Sequence, residues 1–146
     1  MSYPITDIEG IDGEVATALK SVGIRSTERL LEAACTVKGR KVLAGRTGFG
    51  EKQFLCWANV ADRMRVKGVS KEYAELLQAA GVDTVKELRF RSPANLARAM
   101  ADANKKRKMV RLLPSEKVVG RWIESAQKLP LKTKFVTRAD LDGGIV

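Results

Sequence analysis

The sequence predicts an all-α protein made of two tandem repeats of about five short helices each, packed as one body and followed by a flexible C-terminal tail. Apolar residues recur at helical spacing along most of the 146 residues, and the alternation of β-branched and polar residues that marks strands is scarce. A Gly-containing segment at 8–11 recurs 58 positions later at 66–69. Further matches follow in the same order up to Trp57 and Trp122, which indicates two copies of one unit.

The spacing between matched residues sets the predicted borders of the two copies. Leu19 matches Leu77 at 58 positions, whereas Trp57 matches Trp122 at 65 positions, so the second copy is 7 residues longer. We place the additional residues in the basic stretch around 103–114. The first repeat is predicted over 1–65, the second over 66–130, and the tail, which has no helical spacing, over 131–146.

Residues that favour helix N-termini stand before each apolar run of the two copies. In chain order these residues are Asp12, Ser26, Thr36, Gly50, Ser70, Thr84, Ser92 and Ser115. Gly23 and Gly81 follow predicted helices, where a left-handed residue closes the last turn. The last helix of each copy carries an aromatic and aliphatic stripe at helical spacing, so we predict that Trp57 and Trp122 are core residues.

The composition excludes several classes of site. Histidine is absent, which removes His bases and His-ligated metals. Cys35 and Cys56 stand outside any Cys-x-x-Cys motif, and we predict reduced core thiols in a cytoplasmic protein, with a disulfide or redox role as the alternative. Asp62 and Asp102 are isolated acids that we expect to be solvated. No metal, cofactor or enzymatic activity is expected, because no Walker loop, Gly-x-Ser-x-Gly motif or carboxylate cluster is present.

The charge balance points to an anionic partner. Lys and Arg total 27 against 17 Asp and Glu, and the resulting net charge of +10 exceeds what solubility needs. No apolar run approaches the roughly 18 residues of a membrane helix, and the N-terminus lacks the pattern of a secretory signal. We therefore expect a nucleic acid as partner and no membrane.

One pattern occurs once in each copy: apolar-x-Gly-apolar, then Ala, Leu and a second Gly-apolar pair at fixed spacing, over 8–24 and again over 66–82. It resembles the helix-hairpin-helix motif of DNA repair and recombination proteins. The resemblance implies that backbone N–H groups at the start of the second helix bind a phosphate without reading bases.

Up to about residue 130 the chain also resembles a bacterial family, the helix-hairpin-helix-containing domain of unknown function 4332. The residues that carry this resemblance are Ile8-Glu-Gly-Ile, Thr47-Gly48, Lys67-Gly-Val, the segment 72–88 and Trp122-Ile-Glu. The resemblance implies the fold more than a function, because the activity of the family is not established.

Both hairpins depart from the Gly-apolar-Gly pattern of the motif, since Asp12 and Ser70 replace the second Gly. A capping side chain competes with phosphate for the same N–H groups, and the Asp12 carboxylate also repels it. The first hairpin is acidic, with Glu9 and Glu14 beside Asp12, whereas Lys and Arg surround the second. We therefore predict a structural role for the first hairpin, or contact with a basic partner, and an anion site at the second.

The predicted nucleic-acid contacts lie at the second hairpin and in the basic connection of the second copy. They are Arg63, Arg65, Lys67, Gly68, Val69, Ser70, Lys71, Lys105, Lys106, Arg107, Lys108 and Arg111. The predicted function is sequence-independent binding of DNA, or another nucleic acid, through its backbone. The alternative is a protein–protein adaptor with no nucleic-acid role, which the replacement of Gly by Asp12 and Ser70 also fits.

Two further alternatives stay open. For both basic clusters outside the second hairpin, the alternative to nucleic-acid contact is a solvated face; they are Lys105, Lys106, Arg107, Lys108 and Arg111 in the second copy and Lys38, Arg40, Lys41 and Arg46 in the first. The segment 43–50 and the helix after it hint at a DNA-reading helix-turn-helix, in which the residues facing bases would be Glu51, Lys52, Gln53 and Asn59. The second copy lacks this turn, so we favour a structural role for the segment.

Overall fold

The computed structural model describes residues 2–131, which form two compact units of helices, 2–62 and 63–131. In chain order these are a 3-10 helix over Ile5–Asp7 and the α-helices α1 (Gly13–Ser21), α2 (Thr27–Ala34), α3 (Val37–Thr47), α4 (Glu51–Arg63), α5 (Lys71–Ala79), α6 (Val85–Leu88), α7 (Pro93–Lys106) and α8 (Glu116–Lys128). Within the described residues the β-type pairing consists of one isolated bridge between Pro4 and Ser26. The all-α prediction is confirmed. The predicted tail lies outside the described residues, except for Leu131.

The number of helices differs from the prediction of about five in each copy. Each copy has four α-helices, and the segments before them are shorter: Ile5–Asp7 is a single 3-10 turn, and residues 63–65 form the end of α4 and the turn after it. A segment of three residues is too short to repay the cost of nucleating an α-helix. The described residues therefore contain eight α-helices, and the predicted borders at 65 and 130 stay predictions.

Most predicted N-terminal caps are confirmed, with one difference that matters for the site. Four cap side chains accept a hydrogen bond from a backbone N–H in the first turn, namely those of Ser26, Thr36, Thr84 and Ser115. Asp12, Ser70 and Ser92 also occupy N-cap positions, but their side chains make no such bond. Consequently, the first turns of α1, α5 and α7 keep N–H groups that no cap side chain occupies.

The first unit is built around an aromatic cluster. Phe54 is fully buried and Trp57 is 5% exposed, and their rings meet edge to face with centroids 5.3 Å apart. Phe49, in the loop before α4, packs against both rings. The prediction that Trp57 is a core residue is confirmed, and the aromatic cluster gives the segment before α4 a structural role.

Arg40, one of the cations for which we considered a solvated face, is instead 4% exposed. Its Nη1 donates to the carbonyl oxygen of Ala34 at 2.8 Å, at the C-terminal end of α2. Burial lowers the pKa of Arg40, and the electrostatic effects of Cys35 and Glu51 on this pKa act in the opposite direction. A guanidinium stays protonated in proteins, so Arg40 stabilises the end of α2 through both its charge and its hydrogen bond.

In the second unit, α7 packs against α5 and α8, and α6 packs against α8. Leu77 of α5, Leu96 of α7 and Val119 of α8 are fully buried. Trp122 of α8 is 3% exposed, so its predicted core position is also confirmed. The start of α5 follows directly on the second hairpin, and α8 carries Trp122 to it.

Two predictions about single residues are wrong. Cys56 is exposed, because the buried stripe of α4 runs along Phe54 and Trp57 and leaves Cys56 on another side of the helix. Cys35 is half-buried and also free, with its Sγ bonded to the Glu32 carbonyl oxygen. Asp62, expected to be solvated, is 2% exposed. The absence of other acids near Asp62 in the sequence therefore does not show whether its side chain is solvated or buried.

Candidate anion site at the second hairpin

The second hairpin is a tight turn anchored by two buried valines. Val66 and Val69 are fully buried, and the N–H of Val69 donates to the carbonyl oxygen of Val66 at 3.1 Å. Gly68 lies between them at φ +92°, a left-handed conformation that favours glycine, and it is exposed. The structure corrects the prediction that Val69 contacts nucleic acid, because its N–H is bonded inside the turn and its side chain is buried.

The N–H groups that follow this turn have no acceptor within residues 2–131. They belong to Ser70, Lys71 and Glu72, at the start of the nine-residue helix α5. The Ser70 hydroxyl donates to the Glu72 carboxylate at 3.1 Å instead of accepting from the backbone. The expected competition between the Ser70 cap and a phosphate is therefore absent. These donors and the partial positive charge of the helix end provide the elements of an anion site.

The charges beside the hairpin are of both signs. Lys67 and Lys71 are exposed at the tip, and the exposed Glu72 carboxylate stands in the first turn of α5. Ser70 Oγ donates to this carboxylate, which reduces but does not remove its repulsion of a bound anion. The two lysines exceed this single acid, so the hairpin has a net positive charge.

Arg63 does not belong to this cationic surface, which corrects its predicted role. It is 1% exposed, with Nε 2.8 Å from the Ala74 carbonyl oxygen and Nη1 2.7 Å from that of Asp83. Arg65 is half-buried, and its Nη1 donates to the Pro130 carbonyl oxygen at 2.7 Å. Both guanidiniums bond carbonyl groups of the second unit, so they hold the fold together behind the hairpin.

The basic connection after α7 is fixed at two points. The Asn104 side chain bonds the N–H groups of Met109 and Val110, so it pins the loop to the end of α7. Tyr73 of α5 then donates from its hydroxyl to the Leu112 carbonyl oxygen at 3.0 Å. This bond brings Arg111, the exposed neighbour of Leu112, toward the first turns of α5.

The other cations of the connection are exposed, and no hydrogen bond joins them to the hairpin within the described residues. They are Lys105, Lys106, Arg107 and Lys108. The candidate site therefore comprises the hairpin at Gly68, the start of α5, Lys67 and Lys71, and Arg111 follows as the neighbour of the residue that Tyr73 bonds.

One polar group at the hairpin, the indole N–H of Trp122, could not be recognised from the sequence. Nε1 lies 3.2 Å from the point where a Cβ on Gly68 would stand. The helical spacing of apolar residues in α8 identifies Trp122 as a core residue. It does not show which part of the protein the indole N–H faces. Only the packing of α8 against residues 54 positions earlier reveals it.

The first hairpin has the same turn and a different surface. The N–H of Ile11 donates to the Ile8 carbonyl oxygen at 3.0 Å, and Gly10 has φ +89°. Asp12 is exposed, and its side chain makes no cap bond. An exposed carboxylate at this position repels phosphate, and no Lys or Arg stands between it and Lys20.

The helix-turn-helix alternative fails at one of its four residues. Asn59 is 9% exposed on α4, and its Oδ1 has no hydrogen-bond partner among residues 2–131. Its side chain cannot face bases, whereas Glu51, Lys52 and Gln53 are exposed.

Residues 2–131 contain no group of three or more Cys, Asp or Glu side chains placed to hold a metal ion. No helix of this part of the chain combines the length and the apolar content needed to cross a membrane.

One family model matches the chain: Domain of unknown function (DUF4332), over residues 9–129. The match extends from the first hairpin to the end of α8. No curated protein and no solved structure matches the chain.

Proposed function

The chain belongs to the family described as domain of unknown function 4332, and we propose that it binds DNA through the phosphate backbone, without reading its sequence. The observation that carries the proposal is the set of N–H groups of Ser70, Lys71 and Glu72, which have no acceptor within residues 2–131. Lys67 and Lys71 stand beside them and are exposed. A phosphate oxygen satisfies both the donors and the charge.

We also propose that the two units are copies of one helix-hairpin-helix repeat. Both hairpins close with the same backbone bond, from Val69 to Val66 and from Ile11 to Ile8, at 3.1 and 3.0 Å. Both contain a glycine at a φ close to +90°, Gly68 and Gly10. The two hairpins stand 58 positions apart in the sequence. On this proposal, one copy keeps the anion site and the other has lost it to acidic residues.

A backbone mode of binding follows from the donors involved. Backbone N–H groups and lysines recognise phosphate oxygens, which every nucleotide presents. Arg111, which the Tyr73 bond brings toward α5, supplies a third cation for a neighbouring phosphate. With about three phosphate contacts, the logarithm of affinity should fall by about 2.7 for each tenfold rise in salt concentration.

A salt titration tests the proposal. The full chain is titrated into a fluorescein-labelled duplex of about 20 base pairs at several salt concentrations, and binding is followed by fluorescence anisotropy. We expect binding at about 50 mM salt that weakens with a slope near −3, and equal affinity for duplexes of unrelated sequence. Binding weaker than about 10⁻⁴ M at about 50 mM salt, or a slope near zero, would overturn the proposal.

A protein–protein adaptor is the second candidate, and exposed apolar side chains favour it. Phe90 is 82% exposed and Leu112 is 77% exposed, which is unusual for side chains of this size. A protein bound to these residues would show little dependence on salt, and its affinity would fall when Phe90 is changed to Ser. The salt titration of DNA binding therefore distinguishes the two candidates.

A further inference from the structure

Trp122 presents its one polar atom to the tip of the second hairpin. The side chain is 3% exposed, and Nε1 lies 3.2 Å from the position that a Cβ on Gly68 would take. Since Gly68 has no Cβ, the indole edge meets the hairpin backbone directly. Within residues 2–131 no acceptor bonds this N–H.

The Trp122 side chain is buried, but its Nε1 reaches solvent at the hairpin, where it is open to an acceptor from outside the chain. The N–H groups at the start of α5 are donors as well. Lys67 and Lys71 add further donors at the same tip. Donors and cations therefore outnumber the one carboxylate at this tip, that of Glu72, and a ligand rich in acceptor oxygens matches them.

We infer that Trp122 donates a hydrogen bond from Nε1 to the DNA phosphate held at the Gly68 hairpin, an inference that rests on the proposed function. Trp122 is then a phosphate-binding residue on α8, in addition to the donors of the hairpin and of the first turn of α5. The site takes the phosphodiester oxygen between the indole N–H and the first N–H groups of α5.

Tyr73 holds the indole in place before any ligand arrives. The two rings lie with centroids 5.3 Å apart, and the Tyr73 hydroxyl is fixed on the Leu112 carbonyl oxygen at 3.0 Å. A donor whose orientation is already fixed loses little entropy when it binds.

The first unit provides a matched comparison. Trp57 corresponds to Trp122 in the repeat and also has no acceptor within the described residues. Its ring packs against Phe49 and Phe54 at 5.8 and 5.3 Å, and nothing lies within 4 Å of a Cβ on Gly10. Trp57 is therefore buried at the position that matches Trp122, but it does not approach the first hairpin at Gly10.

Nitrogen-15 NMR of the full chain tests the inference, because the chain has two tryptophans and therefore two indole N–H signals. The signals are assigned with W122F and W57F, and the chain is titrated with a duplex of about 20 base pairs. We expect the Trp122 indole proton to move downfield with saturation, while the Trp57 signal stays in place. If the duplex binds with the expected salt dependence and the Trp122 signal does not move, the inference is wrong and the proposed function stands.

The affinities of the two variants give an independent measurement. W122F keeps an aromatic core residue and removes the N–H, so we expect about a tenfold loss of DNA affinity, the size of one hydrogen bond to a charged group. W57F should lose a similar amount of packing and no affinity. Equal affinity of both variants would overturn the inference. Failure of the unmodified chain to bind any duplex would instead overturn the proposed function, and the inference with it.

Discussion

Nη1 of Arg63 donates to the carbonyl oxygen of Asp83 at 2.7 Å, from a side chain that is 1% exposed. Nε of the same guanidinium donates to the Ala74 carbonyl oxygen at 2.8 Å. Arg63 thus bonds both α5 and the segment before α6 within the second unit. A guanidinium buried on carbonyl groups supports the fold, and its charge is not presented to a phosphate in solvent.

Arg63→Met should lower the free energy of unfolding by about 2–4 kcal/mol, because it leaves buried carbonyl groups without their charged donor. Urea denaturation followed by circular dichroism measures the change. Lys67→Met is the control, since Lys67 is exposed and its replacement should alter stability by less than about 0.5 kcal/mol.

The same pair of variants separates support of the fold from binding. At a temperature where both are folded, R63M should bind DNA as the unmodified chain does, and K67M should bind more weakly. An R63M protein of normal stability that has lost DNA affinity would show that Arg63 reaches the ligand after all.

Charge reversal at the hairpin should weaken DNA binding well beyond the effect of net charge. With Lys67→Glu and Lys71→Glu together, we expect at least a tenfold loss near 0.1 M salt and a salt slope shallower by about two, because two phosphate contacts are lost. The control carries the same change in charge at Lys38 and Lys41, which are exposed on α3. Equal losses in the two double variants would mean that bulk charge, and no particular site, binds DNA.

The sequence was sufficient for features that depend on neighbours along the chain. Ser26 and Thr84 cap helices as predicted, because a cap depends on residues within one turn. Trp57 and Trp122 are buried as predicted, because the helical period alone places them on the inner face.

Features that depend on distant residues could not be predicted. Arg63 follows a helix in a run of cations, and sequence alone does not show that carbonyl groups 11 and 20 positions away surround it. The approach of Trp122 to Gly68 depends on how α8 packs in the second unit. The free first turn of α5 was also unpredictable, since Ser70 is a good cap and its hydroxyl instead bonds Glu72.

Glu72→Gln should strengthen DNA binding by about two- to fivefold. The Glu72 carboxylate stands in the first turn of α5, where it interacts favourably with the helix end in the free protein and repels a phosphate. Removing the charge should also cost about 0.3–1 kcal/mol of stability in the free protein. Anisotropy and urea denaturation measure the two effects.

Glu14→Gln is the matched control for Glu72→Gln, since Glu14 occupies the equivalent place in the first turn of α1. It should show a similar small loss of stability and no gain in affinity. If Glu14→Gln strengthened DNA binding as much as Glu72→Gln, the phosphate would not be confined to the second hairpin.

Gly68→Ala should cost more than Gly10→Ala in both stability and binding. Both glycines have a left-handed φ, +92° and +89°, so each substitution carries a backbone cost of about 1–2 kcal/mol. Only the Cβ on Gly68 meets a side chain, at 3.2 Å from Nε1 of Trp122, whereas nothing lies within 4 Å of the Cβ on Gly10. We therefore expect the Gly68→Ala variant to unfold at a lower urea concentration than the Gly10→Ala variant. We also expect the Gly68→Ala variant to bind DNA at least tenfold more weakly than the Gly10→Ala variant. The difference between the two variants removes the backbone cost that they share and isolates the contact with Trp122. Equal stability and equal affinity of the two variants would show that the indole can move away from the hairpin without consequence.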